Sequence, residues 1–134
     1  MTLPAWLHGR LRIPVVGAPL FIISNPQLVV AQCTAGIIGS FPALNARPAE
    51  RLAEWLAEIT AALAAHDSAH PDRKAAPFAV NQIVHRSNDR LEHDLGVCAE
   101  FKVPITITSL GGPEPLDPYV HPALTGPSPA LPGP

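Results

Sequence analysis

The sequence lacks an excess of charge of either sign. Among its 134 residues, nine Lys and Arg stand against eleven Asp and Glu, which gives a formal net charge of -2. Nucleic-acid-binding domains carry a clustered basic surplus, so this balance argues against a nucleic-acid partner. Charged residues make up 15% of the chain and hydrophobic ones 47%, a proportion typical of a folded protein rather than a disordered one. The length suits one domain.

Cysteine is scarce as well. Cys33 and Cys98 are the only two in the sequence, which is too few for a disulfide framework, and their separation excludes a paired-cysteine metal or redox motif. We therefore predict two reduced, buried thiols in a cytoplasmic protein.

A membrane-spanning segment is also lacking. Residues 13–46 carry no charge, but Pro14, Pro19 and the pair Asn25-Pro26 divide this stretch into pieces shorter than the roughly 20 apolar residues that a span requires. The first residues do not follow the order of charge, apolar run and cleavage site that marks a signal peptide. The sequence therefore predicts no membrane partner.

Four short apolar runs are typical of strands buried on both faces. Each is rich in β-branched or aromatic residues and shows no alternation of polar and apolar side chains. The runs lie at residues 13–18, 37–40, 78–83 and 105–108.

Three helical patterns separate these runs. The first covers residues 25–35, with Asn25 as a cap, Pro26 in the first turn and Gly36 as terminator. The second covers residues 48–65, with Asn45 as its proposed cap and apolar residues at helical spacing. The third covers residues 88–101, with Asp94 on the side away from its apolar face. Alternation of strands and helices predicts an α/β fold with a parallel sheet. An open doubly wound sheet and a (β/α)8 barrel both fit this alternation. A full barrel needs about 250 residues, so if the architecture is a barrel, we expect only its first half here.

The pattern ends after residue 112, which divides the chain into an α/β unit at 1–112 and a tail at 113–134. Eight of the 17 prolines fall in that tail, so it suits neither a helix nor a central strand. We interpret it as a disordered or polyproline-like segment. It is either a natural linker or, the interpretation we favour, the product of an alternate reading frame of GC-rich DNA.

The histidines suggest two sites that the pattern supports weakly. His85 follows the third strand and is a candidate base, although a loop residue without catalytic role is the simpler interpretation. His66 and His70 lie four residues apart beside Asp67 and Asp72. No strong third ligand follows them, so we predict no metal site.

Three segments carry a resemblance to a known family. Residues 14–20 (PVVGAPL), 77–85 (PFAVNQIVH) and 103–111 (VPITITSLG) resemble, in order and spacing, the amino-terminal portion of nitronate monooxygenases, formerly called 2-nitropropane dioxygenases. The resemblance implies an FMN-binding (β/α)8 TIM barrel that oxidises alkyl nitronates with O2 to a carbonyl compound and nitrite.

The same resemblance implies which residues contact the flavin. The loop after the first strand would line it, here with Gly17, Ala18, Pro19 and Leu20, because small residues let the backbone approach an aromatic ring closely. An amide at the end of the third strand, Asn81, would meet the ring edge. Thr108 and Ser109 end the fourth strand and would face the mouth of such a barrel, or would only cap the loop with their hydroxyls. As alternatives, residues 17–19 form only a strand-ending turn and Asn81 only satisfies backbone groups. Gln82 should point the opposite way from Asn81.

Several expectations follow for the isolated chain. The family's catalytic His and phosphate-binding loops correspond to positions beyond residue 112, so the catalytic residue is unknown here, and we expect poor FMN binding and no activity from the chain alone. Open sheet edges predict self-association. Two other functions stay open: a non-catalytic interaction module, and another flavin TIM-barrel oxidoreductase such as an enoyl reductase.

Overall fold

The computed structural model describes residues 2–119. It contains a three-stranded parallel sheet in the order β1 (Gly39–Pro42), β2 (Phe78–Ile83) and β3 (Ile105–Ser109). Three helices alternate with the strands: α1 (Pro26–Ala35), α2 (Arg51–Ala69) and α3 (Leu91–Glu100). The predicted α/β class, with a parallel sheet and crossover helices, is confirmed. Most of the predicted proline-rich tail, residues 120–134, lies outside the described residues.

The first predicted strand, residues 13–18, is reduced to a single parallel bridge between Val16 and Ile38. The Ile38 N–H donates to Val15 O (3.1 Å), and the Gly17 N–H donates to Ile38 O (2.8 Å). Pro14 has no N–H to extend this ladder, because proline cannot donate. We call residues 13–18 the edge segment, since it runs beside β1 as a fourth, irregular member of the sheet.

Helix α1 follows its sequence signals closely. Asn25 Oδ1 accepts a hydrogen bond from the Leu28 N–H (2.9 Å), Pro26 occupies the first turn, and Gly36 ends the helix at φ 97°. The Ile37 N–H then donates to Gln32 O (3.1 Å) as part of this helix ending. Ile37 is therefore still engaged with α1, and β1 begins at Gly39 rather than at residue 37.

The other two helices differ from prediction at their ends. Helix α2 begins at Arg51, and Asn45 does not cap it, because the Asn45 side chain bonds elsewhere. The helix continues to Ala69, beyond its predicted end at residue 65. Helix α3 begins at Leu91, since the Asn88 side chain donates to Ile83 O (2.9 Å) and holds the preceding residues in a turn.

The main core lies between the sheet and the helices. Leu52, Leu56 and Ile59 form the predicted apolar stripe of α2, and all three are fully buried. They belong to a cluster that includes the strand residues Phe41 and Val80. A smaller cluster of Leu7, Ile38 and Ala79 covers the other face of the sheet. The sheet is therefore packed on both faces, as the uninterrupted apolar runs predicted.

Burial decreases from the centre of the sheet to its borders. All of β1 and nearly all of β2 are buried, whereas every residue of β3 is only partly buried. The edge segment is mostly exposed.

Part of the region predicted as tail is ordered, since Leu116 is buried in a short 3-10 turn, Glu114–Leu116. Within residues 2–119, no helix combines the length and the hydrophobicity that crossing a bilayer requires.

Shortening a side chain in the α2 stripe should destabilise the fold. We expect Leu56→Ala to lower the free energy of unfolding by about 2–5 kcal/mol, because the site is closed on all sides and the lost methyl groups leave a cavity. Urea denaturation measures the change. Leu3→Ala, at a side chain that is 41% exposed, is the matched control and should change stability by less than about 0.5 kcal/mol.

Candidate functional site

The carboxyl ends of the strands meet at one end of the sheet. Because all strands are parallel, the residues that follow them lie at the same border, which we call the rim. It consists of residues 17–20, 42–45, 83–85 and 109–111. Binding sites of parallel α/β proteins form at this border, so the candidate site lies at the rim.

Asn81 is a buried polar side chain near the rim that faces away from the helices. It is 5% exposed, and its Nδ2 donates to Ile107 O (3.1 Å) and to Ser109 Oγ (2.8 Å). A carbonyl oxygen accepts only, so the bond to Ile107 fixes which end of the amide is the nitrogen. These two bonds leave the amide oxygen of Asn81 as the atom that can accept from a ligand.

The neighbouring Gln82 points to the opposite face, as predicted from the two-residue period of a strand. It is 1% exposed and its Nε2 donates to Cys98 Sγ (3.5 Å) on α3. Thr108 pairs with Gln82 in the β-sheet register, so it lies on the helix face rather than beside Asn81. Ser109 is the β3 residue that joins Asn81 instead, because it is one position further along the strand.

The loop after the edge segment is held close to the sheet. The Ser40 hydroxyl donates to Gly17 O, a contact that no sequence pattern had indicated. A Cβ on Gly17 would lie 2.7 Å from Cδ of Gln32, so a larger residue there would displace the flexible end of that side chain. Ala18, Pro19 and Leu20 continue to the rim, where Ala18 and Leu20 are exposed.

Asn45, which follows the carboxyl end of β1, holds this loop through hydrogen bonds. Its Nδ2 donates to Leu20 O (3.0 Å) and Ser24 O (2.9 Å), and its Oδ1 accepts from the Ile22 N–H (3.0 Å). Ile22 has φ 67°, a left-handed conformation that is strained for a β-branched residue. Asn45 therefore stabilises a loop shape that the sequence of the loop does not favour.

The histidines do not assemble a catalytic or metal site among the described residues. His85 is bound locally, with its Nδ1 2.8 Å from Ser87 Oγ and accepting from the Ser87 N–H (3.2 Å). His66 and His70 stack at a centroid distance of 4.4 Å near the end of α2. Across residues 2–119, no group of three or more His, Cys, Asp or Glu side chains is arranged to hold a metal.

A buried ion pair joins α3 to the turn after β1. The sequence pattern had placed Asp94 away from the core, but it is fully buried, and its Oδ1 lies 3.1 Å from Arg90 Nη2 and 2.9 Å from His93 Nδ1. Arg90 Nη1 also donates to Ala46 O (2.7 Å). Paired in this way, the charges fix the rim loop of β1 against the start of α3.

Both thiols are buried, as predicted. Burial raises the pKa of Cys33 to about 11. The pKa of Cys98 is raised to about 12, by burial first and by the neighbouring Asp94 carboxylate second. Thiols with such raised pKa values stay protonated and are poor nucleophiles, so neither is suited to catalysis.

Comparison with known proteins bears on the fold. No family model matches the chain, and no curated protein matches it. A solved structure of a FabK mutant from Thermotoga maritima is similar, with a TM-score of 0.60 and 21% identity over 86% of this chain. FabK is a TIM barrel, and this chain spans 35% of its length. The protein therefore has the fold of part of a TIM barrel.

Removing the Asn45 side chain should loosen the loop. We expect Asn45→Ala to speed amide hydrogen exchange at Ile22 about two- to tenfold, because the variant removes the acceptor of that N–H. Exchange measured by NMR tests this. Gln27→Ala, which removes an exposed hydrogen bond to Glu58, is the control. Equal acceleration of exchange in both variants would contradict the role of Asn45 in holding the loop.

Raising the pH should destabilise the fold through the thiols. Their folded pKa values, about 11 and about 12, exceed the ordinary value of 9.0, so the folded state keeps protons that the unfolded chain releases. This stabilisation is complete below about pH 9 and is lost as the pH rises towards 11 and 12. At about pH 10 each thiol should account for roughly 1.4 kcal/mol of lost stability.

Urea unfolding at about pH 8 and about pH 10 measures this loss. In Cys98→Ala the drop between the two pH values should be smaller than in the wild type by the contribution of one thiol. The same drop in both proteins would show that Cys98 does not contribute.

Proposed function

We propose that the rim binds the ring system of a flavin and that the chain is part of a flavin-dependent TIM-barrel oxidoreductase. The observation that carries this proposal is Asn81, a nearly buried amide at the carboxyl end of the central strand whose nitrogen is committed to β3. Its oxygen is then suited to accept a hydrogen bond from a ring N–H of an isoalloxazine.

The surroundings of Asn81 fit a flat aromatic ligand. Ala18 and Leu20 are exposed at the same border, and the loop that carries them is held in place by Ser40 and Asn45. A preformed site of this kind binds without ordering a mobile loop first. When bound, a flavin supplies two-electron oxidation and reduction; the residues named here hold and orient it.

The phosphate of FMN needs a different part of the barrel. In TIM barrels it is commonly held after strands seven and eight, whereas residues 2–119 supply three strands and the edge segment. We therefore assign to this chain the ring-binding portion of the site.

Two reactions are compatible with such a site. The resemblance of residues 14–20, 77–85 and 103–111 to nitronate monooxygenases favours oxidation of alkyl nitronates with O2. FabK is a flavin-dependent oxidoreductase, and the structural similarity to it favours an enoyl reductase as the second candidate. The loops that would contact either substrate beyond the rim are not contributed by residues 2–119.

Ring binding can be tested separately from phosphate binding. We expect lumiflavin, which has no phosphate, and FMN to bind with affinities within about threefold of each other, because residues 2–119 do not include the barrel loops that commonly hold the phosphate. Titration of the 15N-labelled chain, followed by NMR, should shift the amide signals of Asn81, Ser109 and Ala18. Asn81→Ala should abolish these shifts, while Gln27→Ala should preserve them.

Two outcomes would contradict the proposal. If neither flavin shifts the rim signals at millimolar concentration, the ring site is wrong. If FMN binds far more tightly than lumiflavin, the chain holds a phosphate site that we have not assigned. Once a flavin is bound, oxygen uptake that requires a nitronate separates the first reaction from the second.

A further inference from the structure

The two borders of the sheet are uncovered. On one side β3 has a neighbour, β2, and within residues 2–119 no strand pairs with its other side. On the other side, among the described residues, the edge segment joins the sheet only through the bridge from Val16 to Ile38, the residue that precedes β1. Partial burial of all of β3 and exposure of Val15 and Val16 agree with this.

Both borders present backbone groups that can form a ladder. Ser109 O accepts from the Val84 N–H (2.8 Å), and in a parallel strand alternate residues bond to opposite sides. Thr106 and Thr108 therefore direct their N–H and C=O groups to the open side. At the other border, Ile38 bonds to Val15 and Gly17, which flank Val16. By the same rule, the N–H and C=O groups of Val16 point to the open side.

The exposed apolar surface is large enough for a stable contact. Eight large apolar side chains at the edge segment, the following loop and the β3 loop are between 43% and 77% exposed: Ile13, Val15, Val16, Leu20, Phe21, Ile22, Ile23 and Leu110. Together they expose on the order of 500–700 Å². A stable interface buries about 800 Å² per partner, a little more than half of it apolar.

The number of sheet members indicates what fits these borders. A TIM barrel closes with eight parallel members, and residues 2–119 supply four: the edge segment, β1, β2 and β3. The two borders differ from each other, so a contact between them is heterologous. Such contacts form a closed ring only if the rotation that relates one copy to the next divides 360° evenly. Four of eight members correspond to a rotation of half a turn, so two copies close the ring.

We propose that a second copy of this chain completes the barrel. The β3 border of each copy pairs in parallel with the edge segment of the other, about a two-fold axis that runs along the barrel. The rims of both copies then lie at the same end, so the partner supplies the wall opposite Asn81. This pairing does not depend on the identity of any ligand.

Solution mass provides the first test. We expect multi-angle light scattering to give twice the 14.2 kDa mass of one chain, constant between about 10 and 100 µM. A monomer throughout this range would overturn the proposal and leave the borders to a partner of different sequence. Species that keep growing with concentration would overturn it too, because they indicate open chains rather than a closed pair.

Two variants test which borders meet. Thr106→Pro removes an outward N–H without touching the bonds between β3 and β2, and Val16→Asp places a charge at the other border. Each alone should give a monomer at about 20 µM with an unchanged circular dichroism spectrum, while Ala57→Lys on the exposed side of α2 should stay dimeric.

Mixing the two variants gives the sharpest result. A mixed pair has one junction with both substitutions and one junction with neither, so the mixture should recover dimers that neither variant forms alone. If Val16→Asp stays dimeric while Thr106→Pro is monomeric, β3 pairs with β3 and the proposal is wrong. The Val16 variant also keeps the test valid if Thr106→Pro fails to fold, since Val16 makes a single bridge.

Discussion

The central strand β2 constrains the rest of the structure. It is hydrogen-bonded to a parallel neighbour on each side, and its first five residues are buried. A strand in that position must present alternate side chains to two different environments. Val80 and Gln82 therefore meet the helices, whereas Ala79 and Asn81 face the other side. The division between a packed core and a potential ligand site follows from this alternation.

The rim is stabilised by polar contacts that connect consecutive elements. Ser40 and Asn45, which precede and follow the end of β1, hold the loop after the edge segment. Arg90, at the start of α3, holds the backbone after β1 through Ala46. Each rim loop is thus bonded to an adjacent unit of the fold rather than only to itself. Such connections let a strained conformation such as that of Ile22 persist.

A fold of this kind supports many chemistries, so function depends on the site. The similarity to FabK concerns architecture, because identity is 21%. The flavin proposal depends instead on the Asn81 amide and on the segments that resemble nitronate monooxygenases. The uncovered borders are independent of the flavin proposal. At these borders, β3 and the edge segment have outward N–H and C=O groups that need hydrogen-bond partners. A second copy is a solution that uses only this sequence.

The sequence by itself determined the three helices, three of the four predicted strands and their order. Asn25, Pro26 and Gly36 predicted α1 to within a residue, and the apolar run at 78–83 matched β2, because capping and burial periodicity act over a few neighbouring residues. Only the tertiary structure decided the partners of the polar side chains. Asn45 was predicted to cap a helix and instead holds a loop, Asp94 was predicted to be exposed and is buried, and Thr108 lies on the helix face while Ser109 joins Asn81. The partners of Asn45 and Ser109 depend on strand register and on contacts between residues more than 20 positions apart. Asp94 is paired with Arg90, which itself bonds to the distant Ala46 O. No local pattern encodes such contacts.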